Sequence, residues 1–266
     1  PALILFIAML FLNDTPRWLV LKNKYKEAKK VIKKINTKTD AEFEINEIIK
    51  TLETKQNIKI SKKLSKPFLI GIGMMFIQIT TGINAIIYFA PSVFKTLGYQ
   101  SNQEVLLITV FIGLINFLMT FVAIGVVDKL GRKPLLYIGL TGMTISLLTL
   151  SFAFVFNILL IKYLAIIACA LYIIFFSMSL GPVALLLISE IFPLEYRSLA
   201  MSISIVFNFI FNFIVTGLFP VSMEKLGGHI TFLIFTVICV LSIIFIKLFV
   251  PETKGISLEE IEAKWN

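Results

Sequence analysis

The chain has 266 residues, 58% of them hydrophobic and only 15% charged, with a mean hydropathy of +0.91. Soluble domains carry about 25% charged residues, so a water-soluble fold of this length has nowhere to hide so much apolar surface, and the class is all-α integral membrane. The net charge of +9 could point to nucleic acid, but the basic residues crowd into 17–66 and into short loops such as 129–133, with long uncharged runs between them. That is the signature of cytoplasmic loops, and no nucleic-acid partner is expected.

Residues 1–12 are apolar but too short to cross a bilayer. No basic start precedes them and no small-residue cleavage site follows, which separates them from a signal peptide. They read as the end of a membrane helix whose earlier part lies outside this sequence, so the chain is expected to be a fragment. Residues 13–66 form a polar linker. Within it Trp18, Leu21, Tyr25, Ala28, Val31, Ile32 and Ile35 recur at helical spacing, and Ile45, Ile48, Ile49 and Leu52 repeat the pattern after the possible N-caps Thr39 and Asp40. These are amphipathic cytoplasmic helices that either cover the membrane domain or lie on headgroups, and the narrow stripe favours the cover.

About 20 apolar residues cross a bilayer core, and residues 67–250 hold six such runs, at 67–96, 105–127, 134–156, 163–189, 198–219 and 230–250. The first and fourth are expected to be broken. Gly82 and Pro91 weaken the first, by entropy and by a missing N–H, and Gly181 with Pro182 weakens the fourth. The charged loops 128–133 and 190–197 and the tail 251–266 should be cytoplasmic. The sparser loops 98–104, 157–162 and 223–229 should be external, with His229 a solvated residue at an external span edge.

Polar side chains inside spans are costly in lipid and so face a partner helix or a cavity. Ser204, Asn208, Asn212 and Thr216 stand four residues apart, on one face of the fifth run. Amides both donate and accept, which suits a neutral, hydroxyl-rich ligand, while the plain alternative is hydrogen-bond glue between helices. Gln78, Asn84 and Tyr88 flank the break in the first run, and broken helices near the midplane are where transporters place substrate. Phe176 beside the second break, and Asn116 with Thr120 in the second run, complete the candidates.

Two loops pair carboxylates with guanidinium groups: Asp128 with Arg132, and Glu190 with Arg197. Charge-assisted pairs of this kind can latch one arrangement of a bundle; simple topology-setting charge would account for the lysines but not for the acids. Cys169 and Cys239 lie in apolar runs and read as inert packing. With one histidine, two separated cysteines and no glycine-rich phosphate loop, metal, triad and ATP-driven chemistry lack raw material. The chain is expected to be no enzyme and to need no cofactor.

In order, these motifs closely resemble the sugar porter family of the major facilitator superfamily. Asp14, Pro16, Arg17, Trp18 and Leu19 resemble its P-E-S-P-R-W-L element, and Gln78, Gly82, Asn84 and Tyr88 its Q-Q-x-x-G-x-N-x-x-x-Y-Y helix. Asp128, Gly131, Arg132, Lys133 and Pro134 resemble its D-x-x-G-R-[RK]-P loop. Gly181 and Pro182 with Glu190, Phe192 and Pro193 resemble its G-P-x-x-W…E-[IL]-F-P stretch, and Pro251 to Gly255 its P-E-T-K-G end.

The resemblance implies a twelve-helix transporter working by alternating access, with this chain as its C-terminal six-helix bundle. It implies a monosaccharide substrate contacted by Gln78, Asn84, Tyr88, Asn116, Phe176 and Asn208, and a charge network of Asp128, Arg132, Glu190 and Arg197. The implied partners are the lipid bilayer of the cell membrane, a missing N-terminal six-helix half and protons. The proton-carrying acid of the family falls in that other half, so a facilitative uniporter is the alternative to symport. A non-transporting sensor and an inactive remnant rank below both. Three departures from the pattern, Ile79, Leu185 and Phe209 in place of a glutamine and two tryptophans, imply a more apolar and larger pocket.

Overall fold

The computed structural model describes residues 14–35, 41–55, 65–155, 159–192 and 194–256, and every regular element among them is helical. The chain divides into two compact units, Pro1–Ile60 and Ser61–Asn266.

In the first unit α1 (Pro16–Leu21), α2 (Tyr25–Ile35) and α3 (Ala41–Lys55) surround a small core of Leu19, Val20, Ala28, Ile32, Ala41 and Ile45. Thr15 caps α1 through the Trp18 N–H, and Pro16, which has no N–H to satisfy, occupies the first turn. The sequence stripe ran unbroken from Trp18 to Ile35, but α1 ends at Leu21 and Asn23 turns the chain with φ 59°. That turn resets the helical phase. Leu19 and Val20 therefore enter the core, while Trp18, Leu21 and Tyr25 stay exposed. Ile48 and Ile49 pack against the same core, and a Lys29–Glu42 ion pair joins α2 to α3. The Thr39–Asp40 caps, the remnant at 1–12 and the tail from 257 lie outside the described residues.

Among its described residues the second unit contains six helical spans long and apolar enough to cross a membrane, each overlapping one of the six runs. The first is made of α4 (Ser65–Thr80) and α5 (Ile83–Thr96); α6 (Asn102–Leu130) and α7 (Arg132–Ala153) follow. The fourth is made of α8 (Leu159–Met178) and α9 (Leu180–Ile191), and α10 (Leu194–Lys225) and α11 (Gly227–Phe249) complete the bundle.

Both expected breaks are present, for different reasons. At the first, Gly82 takes φ 97°, a conformation that costs other L-residues roughly 1–2 kcal/mol. Any Cβ there would also lie 2.9 Å from the Phe235 ring. Pro91 sits inside α5 without ending it. The second break falls at Ser179, ahead of Gly181 and Pro182. A proline ring clashes with the carbonyl four residues earlier, here that of Met178, so the helix opens one turn before Pro182 and restarts with proline in its first turn.

Burial is uneven. Of the most apolar stretch of each span, 67% is buried in α4–α5 but only 11% in α6 and 11% in α10. The interior is built where α7 lies against α8 and α11, around fully buried Tyr172, Phe232, Leu136, Leu140 and Met143. Small residues permit the α7–α8 approach: a Cβ on Gly142 would sit 2.4 Å from the Phe175 ring. His229 differs from its expected solvated place. It opens α11 part-buried, its Nδ1 lies 2.9 Å from Ser151 Oγ, and that hydroxyl donates to the His229 carbonyl at 2.7 Å. The last turn of α7 is thereby clamped to the first turn of α11.

Gly82→Ala is expected to lower thermal stability by roughly 1–3 kcal/mol, adding ring displacement to backbone strain. Gly113→Ala in α6, where a Cβ meets nothing within 4 Å, should leave the unfolding temperature in detergent unchanged or slightly raised.

Candidate functional site

The polar stripe of α10 meets the broken span directly, because α10 lies along α4. Asn208 Nδ2 donates to Gln78 Oε1 at 2.9 Å, and Asn84 Nδ2 donates to Asn212 Oδ1 at 2.9 Å, where Thr216 Oγ1 also donates. Gln78 turns its own Nε2 toward α9, donating to the Gly181 carbonyl at 3.0 Å and the Leu180 carbonyl at 3.4 Å. Ser204, the first member of the stripe, is buried beside Gly71 and its Oγ meets no partner among the described residues. The glue geometry is therefore realised. Each amide has one amide partner, and all four are only part-buried.

An open face adjoins the row. Tyr88, Phe209, Asn212, Phe213, Thr216 and Gly217 line a hollow of about 440 Å³, with Tyr88, Phe209 and Phe213 strongly exposed. Aromatic faces beside amide groups can stack on the apolar face of a ring while the amides take its hydroxyls. Asn116 and Phe176 fall elsewhere. Asn116 Oδ1 accepts from Ser177 Oγ at 2.6 Å, and Phe176 stacks on Tyr172 and lies against Gly181. Phe176 is linked to the row through Gly181 and Gln78, while Asn116 meets α8 two residues before the second break. Of the three departures, Phe209 and Leu185 are exposed, but Ile79 is buried in the bundle and does not reach the open face.

The charged loops converge at one end of the bundle. Arg132 holds Glu190 in a two-pronged grip, with Nε 3.1 Å from both carboxylate oxygens and Nη2 2.7 Å from Oε1. Asp128 stands farther off, 3.6 Å from Arg132 and 79% exposed, so it contributes little. Arg197 meets the Phe192 carbonyl at 3.4 Å rather than a carboxylate, and its Nε is buried without a partner among the described residues. Arg132, Glu190 and Arg197 all border a hollow of about 410 Å³.

Glu252 completes this end. It accepts from the N–H groups of Arg132 (3.1 Å) and Lys133 (3.0 Å), capping the first turn of α7, and from those of Thr253 and Lys254. Gly131 makes room for it: φ is 89°, and a Cβ would lie 3.1 Å from Glu252 Oε2. Burial pushes the Glu252 carboxyl up, but the four backbone N–H donors together outweigh it and hold the group below the ordinary glutamate value.

A family model for "Sugar (and other) transporter" matches residues 1–265. The chain belongs to the sugar transporter family. It is 38% identical to the putative metabolite transport protein YwtG of Bacillus subtilis, covering 98% of this chain and 58% of that protein. It is 37% identical to a facilitated trehalose transporter of Polypedilum vanderplanki, over 97% of this chain and 54% of that one. The proton:xylose symporter XylE, solved with 6-bromo-6-deoxy-D-glucose, superposes with a TM-score of 0.77 at 33% identity, over 100% of this chain and 57% of that one. The chain thus spans little more than half the length of these relatives. It is a multi-pass membrane protein of the major facilitator fold, and not an enzyme.

Three residues of these networks were weakly marked in the sequence or not at all. Glu252 was visible only as part of the P-E-T-K-G resemblance, and Asn212 only as a member of the stripe. Tyr172 carried no signal, since one tyrosine in an apolar run looks like packing. Because the Glu252 carboxyl is lowered in the fold, the stability it lends is present above the unfolded glutamate value and is lost as pH falls through the folded one. The difference in unfolding temperature between wild type and Glu252→Gln should therefore be full at neutral pH and shrink below about pH 4.

Proposed function

We propose that the chain is the C-terminal half of a transporter that carries a monosaccharide, a pentose or hexose, across the cell membrane by alternating access. Its partner is an N-terminal six-helix half, and proton symport is the leading mode. The observation that carries this reading is the pairing of Gln78 with Asn208 and of Asn84 with Asn212 beside the aromatic hollow of Tyr88, Phe209 and Phe213. Amides that satisfy each other can release their bonds to solute hydroxyls at nearly balanced cost, whereas a solute without hydroxyls would leave them unpaired at about 1–3 kcal/mol each. That asymmetry selects a hydroxylated, neutral cargo. Asn116 and Phe176 would act from the second break, on the far side of Gln78 from the hollow.

The charged end supplies the latch in this scheme. Arg132–Glu190 and Glu252 tie the first turn of α7 to the end of α9 and to the segment after α11; breaking these ties would free those helix ends to rock as the cytoplasmic side opens. Asp128 and Arg197, one exposed and one on a carbonyl, would be alternative partners for the rearranged state.

Facilitated uniport is the second reading, because the described acids of this half supply no coupling site. Glu104, Asp128, Glu190 and Glu224 all sit within about a turn of a span end, so no carboxylate in the described spans lies deep enough to carry a proton through this half.

In cells expressing the whole transporter, Asn84→Ala and Asn208→Ala are each expected to cut labelled-sugar uptake at least about tenfold while protein in the membrane stays level, from a lost hydrogen-bond pair of about 1.5–3 kcal/mol. Undiminished uptake in both would return the amides to a purely structural role. Competition by unlabelled pentoses and hexoses should then rank the cargo. Alkalinisation of a weakly buffered suspension on sugar addition would mark symport; a flat trace with intact uptake would mark uniport.

A further inference from the structure

The two broken spans hold each other's breaks. Tyr172 on α8 is fully buried, and its hydroxyl donates across the bundle to the Thr81 carbonyl, at the gap between α4 and α5, at 2.9 Å. In return Gln78 on α4 donates to the Gly181 and Leu180 carbonyls, in the first turn after the gap between α8 and α9. The circuit closes at both ends. The Thr81 hydroxyl donates to the Gln78 carbonyl at 3.2 Å, while Phe176 stacks on Tyr172 and lies against Gly181.

Packing alone does not call for this hydroxyl. A phenylalanine would fill the same volume without bringing a polar group into the interior, where an unpaired one costs about 1–3 kcal/mol. The carbonyl it meets belongs to Thr81, the residue before Gly82, where the helical ladder is interrupted and backbone groups need outside partners. Gln78 is also not free to hold α9 independently of the amide row, because its Oε1 accepts from Asn208. Any group that draws Asn208 away changes how firmly Gln78 grips the second break.

We propose that Tyr172 is a positioning residue that couples the two breaks, so that the α4–α5 and α8–α9 hinges open as one unit with Gln78 as the return link. The coupling builds on the transport reading, since it gives both hinges a common response to a solute at the amide row.

Hydrogen exchange on the full chain in lipid nanodiscs tests it, read at the Ile86 and Val183 amides, which close the first turn after each gap by bonding to the Gly82 and Ser179 carbonyls at 3.0 Å each. Tyr172→Phe should speed exchange at both amides by roughly 3–10-fold, the value of one lost hydrogen bond. Gln78→Leu should also speed both, and the double variant should be no faster than the faster single, because the links act in one circuit. Faster exchange at Ile86 alone in Tyr172→Phe, or additive effects in the double variant, would overturn the coupling. If Tyr172→Phe does not fold, Gln78→Leu decides alone: an unchanged Ile86 amide overturns the proposal. No solute enters this measurement, so it stands or falls separately from sugar transport.

Discussion

Inside a bilayer there is no water to satisfy a peptide group, so every N–H and C=O must find its partner within the protein. That constraint turns the six apolar runs into helices, and it makes the two places where a helix is interrupted the most demanding points in the molecule. At Gly82 and at Ser179 the ladder is broken and has to be made good from outside. Here side chains on neighbouring spans reach both breaks: Tyr172 donates to the Thr81 carbonyl at one, and Gln78 donates to the Leu180 and Gly181 carbonyls just after the other.

The same economy explains why the amide row has two characters. Gln78, Asn84, Asn208 and Asn212 hold α10 to the broken span, as interhelical amides do. They are also only part-buried, beside exposed aromatic rings. Pairs of this kind need no separate vacant site: the groups that would hold a solute keep one another satisfied in its absence. In the proposed transport cycle such a network would link cargo to helix position without a further device.

At the charged end the logic is different, because water is near and isolated ion pairs contribute little. What distinguishes Arg132–Glu190 is the two-pronged geometry and the low exposure of the guanidinium. Glu252 adds an N-terminal cap for α7 that also satisfies the segment after α11. Gly131, with its left-handed φ and its contact with that carboxylate, is where backbone conformation and the charge cluster depend on each other. Asp128 and Arg197, equal members of the cluster on paper, are set apart by exposure in one case and by a carbonyl partner in the other.

Much of this was determined by the sequence alone, because hydrophobic run length is a local property. Six spans, the weak points in the first and fourth, and the crowding of charge between 128 and 133 need no neighbour to be read. The exact place of the second break also follows locally once the clash of Pro182 with the Met178 carbonyl is considered. Tertiary structure decided which polar groups meet. It alone turned the α10 stripe onto Gln78 and Asn84, took Ile79 out of the open face, sent Arg197 to Phe192, drew His229 onto Ser151 and brought Tyr172 to Thr81. Each of those contacts joins residues on different helices or across a turn that resets the helical phase, and spacing along one helix says which face a side chain shares but not what that face meets. The membrane class and the spans were therefore legible residue by residue, while the contacts between helices exist only in the packed bundle.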